Sequence, residues 1–177
     1  VNQAATIVDL PTPALILDRF KLRANADRMR ERVRSLGVTL RPHVKTSKSI
    51  DVLRLLSGGV DAPITVSTLA EARYFFEQGI RDILYAVGIA PVKLPQVAEL
   101  IRAGCRLRII LDSLEAAEIV QSFAVAEGVD IEALIEIDTD GHRAGVAPDD
   151  ELLIEIARRY SSGLVGVMTH AGGSYSA

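Results

Sequence analysis

The chain has 177 residues, of which 49% are hydrophobic and 24% are charged, so it suits one folded domain with a sizeable core and is not a disordered chain. Its net charge of -3 mixes both signs, which excludes a broad basic face for nucleic acid and favours small molecules or another subunit as partners. The single cysteine, Cys105, excludes a disulfide framework and indicates a reducing cytoplasm. No apolar run reaches about 18 residues, so no membrane-spanning helix is expected.

Short apolar segments alternate with amphipathic ones along the chain. The first, Ala14 to Asp18, follows a Pro-Thr-Pro turn and predicts a strand buried on both faces. Apolar residues from Leu22 to Leu36 then recur every three or four positions, which predicts a helix that ends at Gly37. The alternation continues with strands predicted over 40–45, 64–67, 82–86, 107–111, 133–137 and 164–169, and helices over 49–57, 69–78, 94–103, 114–127 and 150–160.

Seven strands separated by helices predict an α/β fold with a parallel sheet, either doubly wound or closed into a barrel. Polar residues that follow the predicted strands decide between these two folds, because a barrel gathers every strand end at one mouth. They lie on six different strands and are Lys45, Ser67, Thr68, Tyr85, Asp112, Asp138 and His170. The sequence therefore favours a (β/α)8 TIM barrel.

Two features limit this barrel. Pro42 has no N–H to donate, so an irregular strand is expected at that position. A (β/α)8 barrel typically needs about 250 residues, so we expect the chain to be truncated after strand seven, without an eighth strand. In this division, residues 14–177 form the incomplete barrel and residues 1–13 belong to another domain, such as a second β-domain.

The segment from Arg41 to Lys48 carries four basic side chains at the end of a predicted strand. Arg41, His43 and Lys45 share one strand face because alternate residues point the same way. Two interpretations remain open from these residues. Either the segment is a solvated turn whose cations act as point charges, or Lys45 is a desolvated amine that attacks a carbonyl group.

Two later segments also follow predicted strands. In Glu136 to Val146, two glycines allow the backbone to return Arg143 toward the barrel mouth, although Arg143 could equally pair at the surface with Asp138 or Asp140. In the segment after strand seven, His170 could be a base, a ring that stacks on a planar ligand, or a core histidine. These residues therefore predict a site without fixing its chemistry.

Five segments together resemble those of the fold-type III pyridoxal-phosphate enzymes, and within them the D-threonine aldolase and D-serine dehydratase family. The segments cover 12–18, 41–48, 66–72, 136–146 and 169–175, in the family's order and spacing. The Arg-Pro-His-x-Lys-Thr element is the most specific of them. The resemblance implies a barrel of the alanine racemase type.

The resemblance also implies roles for individual residues. Lys45 matches the lysine that forms the internal aldimine with pyridoxal 5'-phosphate and then serves as a base next to Cα. Arg143 matches the arginine that binds the cofactor's phenolic oxygen, and His170 the histidine that lies against the pyridine ring. The remaining pocket residues that it implies are His43, Arg41 and Tyr175.

The activity implied is that of a lyase on D-3-hydroxy amino acids, of the D-threonine aldolase or D-serine dehydratase type, in a cytoplasmic homodimer. Such enzymes bind a divalent metal through a later β-domain, so the sequence assigns no metal ligands, and the loop that holds the cofactor phosphate lies outside this sequence as well. The alternatives are an amino-acid racemase, whose second base comes from a later domain of the partner subunit, and a non-catalytic protein of pyridoxal-phosphate homeostasis.

Overall fold

The computed structural model describes residues 6–57 and 62–176, except the side chains of residues 175 and 176. Six α-helices are present in these ranges: α1 (Arg19–Ser35), α2 (Ile50–Ser57), α3 (Leu69–Glu77), α4 (Leu94–Arg102), α5 (Leu114–Glu127) and α6 (Leu152–Arg159). Five strands alternate with the later helices: β1 (Ile64–Val66), β2 (Asp82–Gly88), β3 (Arg106–Leu111), β4 (Glu132–Ile137) and β5 (Leu164–Thr169). Within the same ranges, no helix combines the length and apolar character that a membrane crossing requires.

The five strands form one parallel sheet in the order in which they occur along the chain. This order follows from the short strand-helix-strand connections, which place successive strands side by side. One cavity is lined both by Ser67, just after β1, and by Met168 on β5. In a flat sheet these strands would lie roughly 19 Å apart, so the sheet must curve.

Helices α2 to α6 contribute to the core on the convex face of the curved sheet, whereas α1 packs against α2. Alternate residues along a strand lie on the same face of the sheet. On the convex face they are buried and pack in one cluster with helix residues; examples are Ile83, Tyr85, Ile109 and Ile135. The other alternate residues line cavities on the opposite side, which we call the concave face; they are Leu84, Arg108, Leu134, Glu136 and Met168. The concave face therefore carries both apolar and charged side chains.

The predicted helices and the last five predicted strands are confirmed to within a few residues. The predicted strand over 14–18 is wrong, because this segment has no strand ladder and its apolar side chains are exposed, Leu15 fully so. An apolar run becomes a buried strand only where another strand lies beside it, and none of the described strands pairs with this one.

The predicted strand over 40–45 is also wrong in extent. It is reduced to one parallel bridge between His43 and Thr65, in which Pro42 O accepts from Thr65 N and Val44 N donates to Thr65 O. Pro42 cannot donate the bond that would extend this ladder, as its sequence position indicated. The parallel α/β sheet is thus confirmed, whereas closure into a barrel stays a prediction: in the part of the chain described, β1 and β5 do not pair with each other.

Candidate active site

The carboxyl ends of the strands surround a cavity of about 390 Å³ on the concave face. Four of the six predicted cofactor residues meet there, although they come from three different segments of the chain. The residues with polar side chains that line the cavity are His43, Lys45, Thr65, Ser67, Glu136, Arg143 and His170. The strand ends therefore build one site, as parallel sheets do.

Lys45 lies in the turn that follows the single bridge of His43. The turn is closed by a hydrogen bond of 2.9 Å from Lys48 N to Val44 O, and Lys48 adopts a left-handed backbone with φ of 46°. The Lys45 side chain is exposed and, within 6–57 and 62–176, makes no hydrogen bond or ion pair. The expected desolvation of Lys45 is not seen, because five strands enclose the site on one side only.

His43 is held in one orientation beside Lys45. Its Nδ1 accepts a hydrogen bond of 3.3 Å from Lys45 N, so the proton lies on Nε2, which is 3.3 Å from Ser67 Oγ and donates to it. Burial lowers the pKa of His43, and the charge of Lys45 lowers it further, while Glu71 opposes this effect and His170 adds to it. The ring is therefore a neutral neighbour of the lysine at pH 7.

A capping box at the start of α3 fixes the position of Ser67. Glu71 N donates to Thr68 Oγ1 over 3.0 Å, and the Glu71 carboxylate accepts from Ser67 N over 2.8 Å. The same carboxylate lies 3.2 Å from Lys48 Nζ. Burial alone would raise the pKa of Glu71, but these bonds and the charge of Lys48 outweigh it and lower the pKa. Glu71 thus connects α3 to the turn that contains Lys45 and Lys48.

Arg143 reaches the cavity because the loop after β4 folds back on the strand that precedes it. Val146 N donates to Glu136 O, and Asp138 N donates to Val146 O, each over 2.9 Å. Gly145, with φ of 123°, makes this close approach: a Cβ there would lie 2.7 Å from Asp138 N. Only glycine fits such a backbone, so the glycine in this loop determines where Arg143 lies.

The carboxylates of this loop bind the backbone rather than Arg143. Asp138 Oδ1 accepts from Gly141 N over 3.0 Å, and Asp140 Oδ2 accepts from Gly173 N over 2.8 Å. The Gly173 bond is the main cause of the lowered pKa of Asp140. The alternative of a surface pair between Arg143 and either aspartate is not seen in the described ranges.

Glu136 is the cavity residue to which the sequence analysis gave no role. It is only 7% exposed, and burial raises its pKa, with Asp112 and Asp138 adding to the rise and Arg143 opposing it. The signal was present in the strand pattern, because Glu136 follows Leu134 by two residues and so shares its inward face. A carboxylate at an inward position either pairs with a neighbouring cation or marks a functional site, and no partner of the Glu136 carboxylate is found among the described residues.

One predicted site residue, Arg41, is not brought to this cavity. Arg41 lies at the amino ends of the strands, where Nη2 donates to Asp82 Oδ1 over 2.7 Å and Nη1 to Ile64 O over 3.0 Å. The long arginine side chain reaches this carboxylate partner instead of following His43 and Lys45. The side chain of Tyr175 lies outside the described residues, so its assignment stays a prediction.

The donor set of the cavity fits pyridoxal phosphate. Lys45 offers an amine to an aldehyde, Arg143 offers donors to an anionic oxygen, and two imidazoles border the space for a planar ring. For a metal ion the structure offers no comparable set: across 6–57 and 62–176, no three His, Cys, Asp or Glu side chains are placed to hold one.

Comparison with known proteins assigns the chain to a family. Residues 17–176 match the family model described as alanine racemase, N-terminal domain. The chain belongs to the alanine racemase N-terminal domain family. This match covers both the sheet and every residue of the cavity, and it confirms the resemblance to fold-type III pyridoxal-phosphate enzymes.

Several members of this family resemble the chain closely. It is 49% identical to the D-threo-3-hydroxyaspartate dehydratase of Delftia sp. (strain HT23), over 96% of this chain and 46% of that protein, and the solved structure of that enzyme superimposes with a TM-score of 0.93. It is 33% identical to the D-serine dehydratase of Schizosaccharomyces pombe, over 97% of this chain and 44% of the relative. The D-threonine aldolase of Filomicrobium marinum is 26% identical, with a TM-score of 0.79 over 91% of this chain and 44% of that one. The chain thus spans about half the length of these relatives.

Proposed function

We propose that this alanine racemase N-terminal domain is the cofactor-binding part of a pyridoxal-phosphate-dependent lyase that acts on D-3-hydroxy amino acids. The observation that carries the proposal is the meeting of Lys45, Arg143, His43 and His170 in one cavity at the strand ends. The three segments that supply these residues are separated in sequence by whole helices and strands, so the fold is what brings them together. Similarity to dehydratases and an aldolase of D-hydroxy amino acids supports the same substrate class.

Each residue has a distinct task in this proposal. The Lys45 amine would hold the cofactor through its aldehyde and, as a free amine, would accept the Cα proton of the substrate. Arg143 donates to the phenolic oxygen, and His170 fixes the plane of the ring. When bound, the cofactor supplies the electron sink for the carbanion. His43, neutral and locked by Ser67, leaves the positive charge of the site to Lys45 and Arg143.

The reaction we propose is dehydration, since the two most identical relatives described above are dehydratases. Removal of the Cα proton by Lys45 then precedes loss of the β-hydroxyl group. Aldol cleavage instead requires a base at the β-hydroxyl, and we assign none of the cavity residues to that task.

The rest of the protein completes the site in this proposal. Five strands enclose the cavity on one side, and the relatives are about twice as long. We propose that further strands close the sheet into a (β/α)8 barrel and that a divalent metal, with the phosphate-binding loop, lies outside the described residues. The assignment of residues 1–13 to a second domain and the cytoplasmic homodimer stay predictions.

Borohydride trapping tests the central assignment. The intact protein is incubated with pyridoxal phosphate, reduced, digested and mapped by mass spectrometry. We expect the label on Lys45, and Lys48, three residues later in the same segment, is the internal control. A label on Lys48 or on any other lysine contradicts the proposal.

Product analysis tests the reaction. With D-threo-3-hydroxyaspartate or D-serine, we expect ammonia and a keto acid in equal amounts. Glycine with an aldehyde would instead indicate an aldolase, and the L-enantiomer a racemase. An absence of turnover with a labelled Lys45 would indicate a non-catalytic cofactor carrier, and each of these three results contradicts the proposed dehydration.

A further inference from the structure

Glu136 is a buried carboxylate in a site whose other charges are cationic. It is 7% exposed, it lies on the concave face at the end of β4, and it lines the cavity together with Lys45 and Arg143. Within the described ranges, no hydrogen bond or ion pair is formed by its carboxylate. Burying an ionised group without a partner is costly, so such a group persists where a ligand or a mobile side chain completes it.

Arg143 is the exposed cationic side chain that the fold brings to the same cavity as this carboxylate. The loop from Asp138 to Val146 returns to the strand end through Val146 N and Glu136 O, and Gly145 allows the two backbones to touch. Arg143 is exposed, is electrostatically coupled to Glu136, and has no ion pair of its own in the part of the chain described. The two groups are therefore complementary charges at one cavity wall.

The neighbouring aspartates do not compete for Arg143. Asp138 Oδ1 is occupied by backbone N–H groups of its own loop. Asp112 borders a different cavity, next to Gly88 and Ser113, and does not line the one that contains Lys45. Glu136 is thus the carboxylate that lines the cavity on the side of Arg143.

We propose that Glu136 is a positioning residue for Arg143: its carboxylate accepts from one edge of the guanidinium and holds the other edge over the cavity for an oxygen anion of the ligand. This inference rests on the proposed function, because the anion is the phenolic oxygen of pyridoxal phosphate. The geometry of arginine suits the task, since its five N–H donors point in fixed directions and can serve two acceptors at once.

The expected consequence is a loss of cofactor affinity when Glu136 is neutralised. When the ligand draws Arg143 over the cavity, Glu136 accepts from the other edge of the guanidinium and so favours the bound rotamer; without the carboxylate, ligand binding alone must restrict this exposed side chain. For Glu136→Gln we expect affinity for pyridoxal phosphate to fall by about tenfold, the scale usual for residues that orient a binding group. Gln keeps the size of the side chain and removes its charge.

A double-mutant cycle on the intact protein separates positioning from direct contact. Apoprotein of the wild type, Glu136→Gln, Arg143→Gln and the double variant is titrated with pyridoxal phosphate and followed by absorbance. If Glu136 acts through Arg143, its replacement costs less than about twofold once Arg143 is gone. Glu132→Gln is the matched control, because Glu132 lies on the same strand face but pairs with Arg106 and Arg108; we expect its cofactor affinity to be unchanged.

Three results would overturn the inference. These are an unchanged affinity in Glu136→Gln, an equal loss in both backgrounds, which would mean direct contact with the ligand, and an equal loss in Glu132→Gln. Thermal unfolding of each apoprotein confirms that the variants are folded before titration. A wild type that borohydride does not label at Lys45 refutes the proposed function itself, whereas normal labelling with an additive cycle refutes only the role of Glu136.

Discussion

The two ends of the concave face use charge in opposite ways. At the amino ends of the strands, Asp82 accepts from Arg41 and Arg108 over 2.7 Å each, and Arg108 also donates to Glu132 over 2.8 Å. At the carboxyl ends, Lys45 and Arg143 have no ion pair within the described ranges. The charged residues at the amino ends pair with one another and stabilise the fold, whereas those at the carboxyl ends remain available to bind a ligand.

Strand β4 shows this contrast within one element. Glu132 and Glu136 lie four residues apart and share the concave face. Burial alone would raise the pKa of Glu132, but its bonds to Arg106 and the charges of Arg108 and Arg106 outweigh it and lower the pKa. For Glu136, burial prevails and raises the pKa. Partners, and not burial alone, therefore distinguish a structural carboxylate from a functional one.

The largest effect is expected for Lys45, which would establish that the carboxyl end performs the chemistry. Lys45→Arg keeps a cation but removes the nucleophilic amine, so lyase activity should fall by more than about 1,000-fold. Because Lys45 is exposed and its side chain is unpaired among the described residues, stability should change by less than about 0.5 kcal/mol. Activity assays and urea unfolding measure the two effects. Lys21→Arg on the surface of α1 is the control, and a Lys45 variant within tenfold of wild type contradicts the assignment.

The loop that carries Arg143 should be the least tolerant part of the carboxyl end. A methyl group at Gly145 meets Asp138 N at 2.7 Å in a left-handed backbone, so Gly145→Ala should cost about 3 kcal/mol of unfolding free energy. Gly141→Ala is the matched control, because Gly141 has a positive φ but open space around it, and should cost only about 1 kcal/mol. Equal costs in urea unfolding would mean that the close approach is not what requires glycine.

The sequence predicts the helices and the last five strands because each carries apolar residues at the spacing typical of its own kind of element, even where, as in α1, few of them are buried. It fails where an outcome depends on what lies beside a segment. The apolar run over 14–18 has no described strand next to it, and Pro42 interrupts the ladder of the following segment.

The same limit applies to the site. Motif spacing gathers Lys45, His43, Arg143 and His170 correctly at the strand ends. Strand alternation predicts that Arg41 lies on the same face as His43 and Lys45. Its long side chain instead reaches the amino ends of the strands, where it donates to Asp82. Strand alternation also places Glu136 on the inward face, but Glu132 shares that position; only the partners that the fold supplies to one and not to the other distinguish them, and a single sequence does not show these partners.

Replacing the central residue of the ion-pair network at the amino ends of the strands should lower stability and leave catalysis unchanged. Arg108 is 11% exposed at its side chain and holds both Asp82 and Glu132, so Arg108→Met should cost about 2 kcal/mol. Arg102→Met breaks a more exposed pair with Glu127 and should cost below about 1 kcal/mol. Urea unfolding measures both. Loss of cofactor binding in folded Arg108→Met would show that the two ends are not independent.

The smallest effect, and the most direct comparison, is the pH dependence of the two glutamates on β4. A carboxyl whose pKa is lowered by folding stabilises the protein above its unfolded pKa, near 4.5, and loses that contribution as the pH falls through its folded value. Glu132→Gln should therefore lose about 1 kcal/mol at pH 7 and nothing at low pH. A carboxyl whose pKa is raised has the opposite sign, because its ionised form is penalised in the folded state.

Glu136→Gln should accordingly be at least as stable as the wild type at pH 7, and the difference should disappear as the pH falls below about 4.5, where both the folded and the unfolded protein hold the proton. Unfolding free energies of both variants and the wild type at pH 7 and at about pH 3 make the comparison. Destabilisation of Glu136→Gln at pH 7 would mean that its carboxylate already has a stabilising partner. In that case Glu136 would resemble Glu132, and the contrast between the two ends of the concave face would not hold.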